Sequence, residues 1–411
     1  MTNIAILGFG VVGGGITEVI EQNGKALEKY TGDGMYVKYI LDLRDFPDSP
    51  YSDRVVHDIN IIAKDPEVSI VCEAMGGVNP AYDFSVMLME YGKSVVTSNK
   101  ELVAKRGVEL CETAEKNGIS YMFEASVGGG IPEIRGMRTS LAGDTVGAVN
   151  GILNGTTNYI LTRMKKDGAT FAEALSEAQR LGYAERDPSA DVDGLDAQRK
   201  IMILTAVATG CLADESDVYA ETLRNITPLD MDAAARWGGT VKLVGSARIK
   251  PDASGASMYV CPTFVPSDCP LSFVDDVYNA ISVASPVTGD VMFYGRGAGR
   301  MPTAGAMVAD AASIASGLCN GEKKMAWQSA PDGWVTPFEE NSFSYYVRVK
   351  TDDPAQALEA AALALGTAEK LPSTPAGYVE YITPEVKESE ARRLFSGELC
   401  KAESVIRILA K

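Results

Sequence analysis

The chain opens on a short apolar run, Ile4–Leu7, inside "NIAILGFGVVGGGITEVIEQNG"; a glycine-rich turn and an amphipathic helix follow it. The same alternation returns along the first third. "YVKYILDLRD" and "VSIVCEAMGG" read as strands, a helix is expected over about 80–91, and "SVVTSNKELVA" is again strand, turn and helix. "ISYMFEASVGGGIPEI" supplies one more strand ending in glycines. Strand and helix in regular alternation predict an α/β fold with a doubly wound parallel sheet, its loops gathered at the C-terminal ends of the strands. Glu73, Thr97–Lys100 and Glu124–Ile131 should then line one crevice.

After Pro132 the period changes. "TVGAVNGILNGTTNYILTRMKKDG" gives a strand, a polar turn at Asn154–Asn158 and a helix; "TFAEALSEAQRLG" is an amphipathic helix with Gly182 as its stop. "KLVGSARI" and "ASMYVCPTFVP" read as long strands, so a mixed α+β substrate and dimerisation domain is expected over 133–294. "MFYGRGAGRMPTAGAMVADAASIAS" is a strand, a second glycine cluster and a small-residue helix. It should return to the first domain, which therefore comprises 1–132 plus about 295–320. Residues 321–340 read as a linker, and 341–411 as a small βαββαβ unit.

The opening turn carries chemistry. Gly8, Gly10 and Gly13 fit G-x-G-x-x-G, between a strand and a helix as the motif requires. The first glycine allows the tight turn, the second lets a pyrophosphate approach the backbone, and the third lets helix and strand pack closely. Phe9, Val11 and Val12 complete the turn, and the strand ends add Met75, Gly76, Thr97 and Ser98 as cofactor contacts. Asp42 would bond the ribose 2′-hydroxyl of NAD, whereas Arg44 could accept the 2′-phosphate of NADP. Both are present, so either cofactor remains open. Lys100 follows a strand end where the nicotinamide half of a cofactor would lie; the alternative is a solvent-facing first helical residue.

Composition narrows the rest. The net charge of −17 argues against nucleic-acid or anionic-membrane partners. No window has the ~18 apolar residues of a membrane span, and "MTNIAILGFG" lacks the basic start of a signal peptide. Seven cysteines, odd in number and without a CxxC, read as reduced cytoplasmic thiols. The single histidine, His57, lies in a polar connecting segment, so proton transfer falls to Lys, Asp, Glu or Tyr.

"GYAERDPSADVDGLDAQRK" crowds acids ahead of an apolar helix expected from about Leu195 to Thr209. Asp193 reads as its N-cap, Asp187 as a turn residue before Pro188, and Asp191 as solvated. Asp196 and Lys200 share a helix face. Alone they read as a surface ion pair, but their face leads into the apolar run. A lysine at the rim of a core is costly to bury as an ammonium unless paired, and is suited to proton transfer. Glu185 is a second acid for a cationic substrate.

These segments resemble the homoserine dehydrogenase family. "GFGVVG", "SVVTSNKELVA", "FEASVGGGIP", "GILNGTTNYIL", "GYAERDPSADVDGLDAQRK" and "GRGAGRMPTAG" are similar to its signatures in order and spacing, over roughly residues 1–320. The resemblance implies interconversion of L-homoserine and L-aspartate 4-semialdehyde with NADP or NAD. It implies Lys200 as proton donor and acceptor, Lys100 as second active-site lysine, and Glu185 and Asp196 as substrate-binding acids beside Asn154, Gly155 and Thr156. It adds Gly182 and Gly299 as cofactor contacts, and a monovalent cation, expected to be Na+, on Glu124, Val127, Gly129 and Ile131. A homodimer or homotetramer is expected. The C-terminal unit resembles an ACT domain, but "TDDPAQAL" has Ala355 where the ACT loop has a glycine after its proline. Threonine feedback is therefore not expected, and dimer contacts are the alternative role. Two rivals remain. A phosphorylating aldehyde dehydrogenase would need a nucleophilic cysteine; a non-catalytic nucleotide sensor would need no such lysines.

Overall fold

A computed structural model describes residues 1–317 and 325–410. Cys319 and the first part of the expected linker lie outside the described residues. The chain forms two compact units: Met1–Thr145 with Met202–Glu215 and Phe293–Ala330, and Val146–Ile201 with Ser216–Met292 and Pro331–Lys411.

In the first unit six strands run parallel: β1 (Thr2–Leu7), β2 (Met35–Leu41), β3 (Val55–Val56), β4 (Val68–Glu73), β5 (Ser94–Thr97) and β6 (Tyr121–Met122). Their order is β3-β2-β1-β4-β5-β6, so the connections reverse direction between β1 and β4. The C-terminal ends there form the crevice where dinucleotides bind in such sheets. Ile4 and Ile6 on one strand, Ile16, Val19 and Ile20 on the Val11–Gln22 helix, and Ala304, Met307, Val308 and Ala311 on the Arg300–Ala315 helix share one apolar core. The small-residue helix does return to this sheet. Its close approach explains Gly15, where an added Cβ would lie 2.9 Å from the Ala304 Cβ.

The second unit is built on a mixed sheet. Gly289–Arg296, Tyr278–Ser285, Ala148–Ile152, Gly239–Ile249 and Ala256–Pro266 follow one another across it. Gly239–Ile249 and Ala256–Pro266 pair antiparallel over their full length. The sequence reading had no strand at Tyr278–Ser285 and no helix at Pro228–Trp237; the latter carries a Thr227–Asp230 capping box with Pro228 in its first turn. Beyond residue 341, the strands Ser404–Ile408, Tyr345–Lys350, Tyr378–Ile382 and Glu369–Lys370 lie side by side in that order with the helices Pro354–Leu365 and Glu388–Phe395, and two further short strands, Ser342–Phe343 and Val386–Lys387, pair antiparallel apart from them. Ser404–Ile408 joins Ala256–Pro266 in parallel, so this small sheet continues the larger one. Pro354 opens the Pro354–Leu365 helix behind an Asp353 cap, and Ala355 lies inside that helix. No helix among the described residues is long and apolar enough to cross a membrane.

Candidate active site

Two of the three glycines of the first turn are required by the fold, each for a different reason, and the third leaves open space. Gly8 has a φ of +87°, in the left-handed region that favours glycine. A Cβ on Gly13 would fall 2.0 Å from the Gly8 carbonyl oxygen, which no side chain tolerates. Nothing lies within 4 Å of a Cβ on Gly10, which leaves that space to a ligand at the start of the Val11–Gln22 helix. The adjoining open pocket has a volume of about 540 Å³. Met75, Pro80, Phe84 and Leu43 give it apolar walls, and Asp42 and Arg44 stand at its polar end. Asp42 accepts from the Phe9 N–H at 2.8 Å and from the Arg44 guanidinium at 3.0 and 3.1 Å. Arg44 beside it holds the Asp42 carboxyl down to about 2. His57, not expected at the cofactor, also lines this pocket.

Lys100 starts the Lys100–Lys116 helix, directly after its cap Asn99, whose side chain accepts from Leu102 N–H. Asn99 is held in turn by Gly77 O and by Thr97, and Thr97 donates to the buried Glu73 carboxylate. Burial pushes the Glu73 carboxyl up. An ammonium at a helix N-terminus is opposed by the helix dipole.

In the loop Glu124–Ile131, both Glu124 carboxylate oxygens are taken by the Ile134 and Arg135 N–H groups at 2.8 Å. Glu124 N–H donates to Asp310, itself paired to Arg135 at 2.7 Å. Burial, followed by the nearby Asp310 carboxylate, pushes the Glu124 carboxyl up to about 7. Gly129 has φ +59°, and a Cβ there would lie 2.6 Å from Gly297 O. Gly299 caps the Arg300–Ala315 helix.

The second unit holds the lysine–carboxylate cluster. Lys200 is buried; its Nζ lies 2.9 Å from Asp196 Oδ2 and donates to Leu153 O at 2.7 Å. The surface reading of this pair is therefore excluded. Asn154 spends one amide hydrogen on Asp196 at 2.8 Å and one on Asp191 at 2.7 Å, while its oxygen caps the Gly155–Asp167 helix at Thr157 N–H. Asn154, expected as a substrate contact, bridges two carboxylates with its amide. Asp191, read as solvated, belongs to the cluster. Asp193 is not a side-chain cap: it takes the Thr222 hydroxyl and the Arg224 guanidinium. Asp187 does make the expected turn, onto Ser189. Glu185 stands exposed, with its carbonyl bonded to Gln179. Thr156 ties the helix start to Tyr183 O at 2.7 Å. Gly155 is required because a Cβ would lie 2.8 Å from Val277 O. Gly182 ends its helix with φ +77°.

Burial pushes the Cys72 and Cys111 thiols up to about 12 and Cys261 higher still, so these three are poor candidates for the nucleophile that an aldehyde dehydrogenase needs.

A dinucleotide turn on a switch-point sheet in the first unit and a buried lysine–carboxylate pair in the second are parts that a nicotinamide-dependent oxidoreductase of alcohols and carbonyls uses. Comparison with known proteins narrows that class. The family model for the homoserine dehydrogenase NAD binding domain matches residues 8–124, and that for homoserine dehydrogenase matches residues 132–311. A homoserine dehydrogenase of Synechocystis is 40% identical over 79% of this chain and 75% of its own. The crystal structure of a homoserine dehydrogenase from Thiobacillus denitrificans superposes with a TM-score of 0.89 at 31% identity, covering 99% of this chain and 98% of that one. A hyperthermophilic archaeal homoserine dehydrogenase, solved in complex with NADPH, matches with a TM-score of 0.65 at 26% identity over 79% of this chain and 99% of its own. The chain belongs to the homoserine dehydrogenase family. Its reaction is the NAD(P)-dependent interconversion of L-homoserine and L-aspartate 4-semialdehyde in threonine, methionine and isoleucine biosynthesis.

Proposed function

We propose that Lys200 gives and takes the proton at the reacting oxygen while the nicotinamide, when bound, carries the hydride. The observation that supports this is the buried ammonium fixed between Asp196 and the Leu153 carbonyl. Alkoxide charge builds on the substrate oxygen as hydride arrives, and a directed N–H both neutralises it and supplies the proton. Asp196 orients Lys200. Asp191 and Glu185 are the acids suited to the substrate ammonium, and Gly155 and Thr156 complete the substrate pocket. Lys100 serves as the second active-site lysine toward the nicotinamide half. Gly8–Gly13, Asp42, Arg44, Met75, Gly76, Thr97 and Ser98 hold the cofactor, with Gly182 and Gly299 completing its site.

A monovalent cation, Na+ by its preference for oxygen donors, is held by carbonyls of Glu124, Val127, Gly129 and Ile131 and stiffens their loop. The enzyme works in the cytoplasm as a homodimer or homotetramer. The C-terminal unit is ACT-like and makes dimer contacts rather than sensing threonine, since helical Ala355 stands where the ligand loop needs a glycine.

The test is Lys200→Ala. Turnover should fall by ~10²-fold or more, on the scale of lost general acid catalysis, while NADH binding, followed by fluorescence, survives. Near-normal turnover in a folded variant refutes the assignment.

A further inference from the structure

We infer that Asp42, Arg44 and His57 make this enzyme selective for NAD(H) over NADP(H). This deepens the dehydrogenase reading and rests on it. The two cofactors differ only at the adenosine ribose, where one has a 2′-hydroxyl and the other a phosphate carrying about two negative charges at neutral pH. Asp42 follows β2 immediately and meets the glycine turn there: its Oδ2 accepts from Phe9 N–H at 2.8 Å. Its Oδ1 accepts from the Arg44 backbone N–H and from Arg44 Nε, both at 3.0 Å, and Oδ2 accepts from Arg44 Nη2 at 3.1 Å. Four hydrogen bonds fix the carboxylate, and the adjacent guanidinium keeps it ionised.

A carboxylate so held can accept a hydrogen bond from a 2′-hydroxyl. It repels a 2′-phosphate across the same short distance. Arg44 offsets part of this repulsion but does not present a free cation at the corner: its Nε and one Nη2 hydrogen are bonded to Asp42, so the ribose meets a paired carboxylate.

His57 fixes the same corner from beneath. Its Nδ1 lies 2.7 Å from Asp42 O, and its Nε2 lies 3.0 Å from Asp45 Oδ1. The ring thus ties the main chain at Asp42 to the loop that follows and opposes any outward swing that would make room for a phosphate. The carboxylates of Asp45 and Asp42 are the charges that act on it. This gives the single histidine a positioning role at the cofactor, away from proton transfer.

The experiment titrates the purified enzyme with NADH and with NADPH by protein fluorescence, and measures kcat/KM for homoserine oxidation with NAD+ and NADP+. NADH should bind ~10-fold or more tighter than NADPH, with kcat/KM following. Asp42→Ser should move the ratio by ~10-fold or more toward NADPH, because it removes the repelling charge and frees Arg44. Adding Arg44→Ala to that variant should cancel the gain. A wild-type enzyme that binds NADPH equally or better overturns the inference, as does an Asp42→Ser ratio that stays unchanged. Binding of neither cofactor overturns the dehydrogenase reading itself, and the selectivity with it.

Discussion

Asn154 has two jobs that substitution can separate. Its oxygen caps a thirteen-residue helix, and its amide holds Asp191 and Asp196 in one place. Two carboxylates brought that close repel each other, and the amide donors between them offset the repulsion. Lys200 depends on the result, because its partner Asp196 is one of the two. Asn154→Ala loses both functions: about 1 kcal/mol of helix capping and the fixed position of Asp196. Turnover should fall ~10- to 100-fold, the scale on which a misplaced catalytic group loses rate, with NADH affinity unchanged. Asn154→Asp restores an acceptor at the cap but places a third carboxylate in the cluster. Its melting temperature should recover while kcat does not. Recovery of both would mean that Asn154 is only a cap. None of this was legible in the sequence: Asn154 and Asp191 lie 37 residues apart and meet only through folding. The Asp196–Lys200 pairing was legible because a spacing of four is local, but spacing alone reads as a surface ion pair; the burial of the pair comes only with the fold.

Elements follow the same division between local and distant information. The strand–turn–helix units of the first sheet could be read because alternation and glycine punctuation are short-range. The Ala256–Pro266 strand has the limits that the apolar run alone implies. The continuation of the sheet through Ser404–Ile408 was hidden, since Thr263 pairs with Arg407 and nothing near either residue encodes the other. The glycine turn offers a test at this scale. Gly10→Ala adds a methyl where nothing of the protein lies within 4 Å, whereas Gly13→Ala drives one to 2.0 Å from Gly8 O. Gly10→Ala should keep the wild-type melting temperature yet bind NADH ~10-fold or more weakly, because the methyl occupies ligand space. Gly13→Ala should lose both affinity and stability, the latter by at least the ~1–3 kcal/mol of an overpacked site. Equal melting temperatures for the two variants would contradict the distinct roles given to these glycines.

On the scale of the whole molecule, the net charge of −17 coexists with cations buried deep in the second unit. Most of these face carboxylates that are buried too: Arg348 meets Asp230 at 2.8 Å, and Arg407 meets Glu388 at 2.6 Å. Such pairs cost much to break and little to keep. Lys242 differs. It is 1% exposed, and its only carboxylate partner among the described residues, Asp275, is partly solvated; it also donates to Asn158 Oδ1 and Val274 O. Burial accordingly pulls its amine down to about 8 from 10.5, against the pull of Asp275. The sign of the consequence follows from proton counting. Between about pH 8 and 10.5 the unfolded chain holds a proton on this amine that the folded chain has released. Stability from this group therefore rises with pH across that window. Lys242→Met removes the titration but also the three hydrogen bonds that the amine gives to Asn158 Oδ1, Val274 O and Asp275 Oδ1, so its offset at pH 7 carries no information about the amine. The slope does. Melting curves of the wild type and Lys242→Met, taken from pH 7 to 10, share every other titrating lysine and tyrosine, and these cancel in the difference. The wild type should gain on the variant steadily above pH 8. A gap that stays flat to pH 10 would mean that the amine remains protonated in the folded chain, and that Asp275 and the two carbonyl groups offset its burial in full.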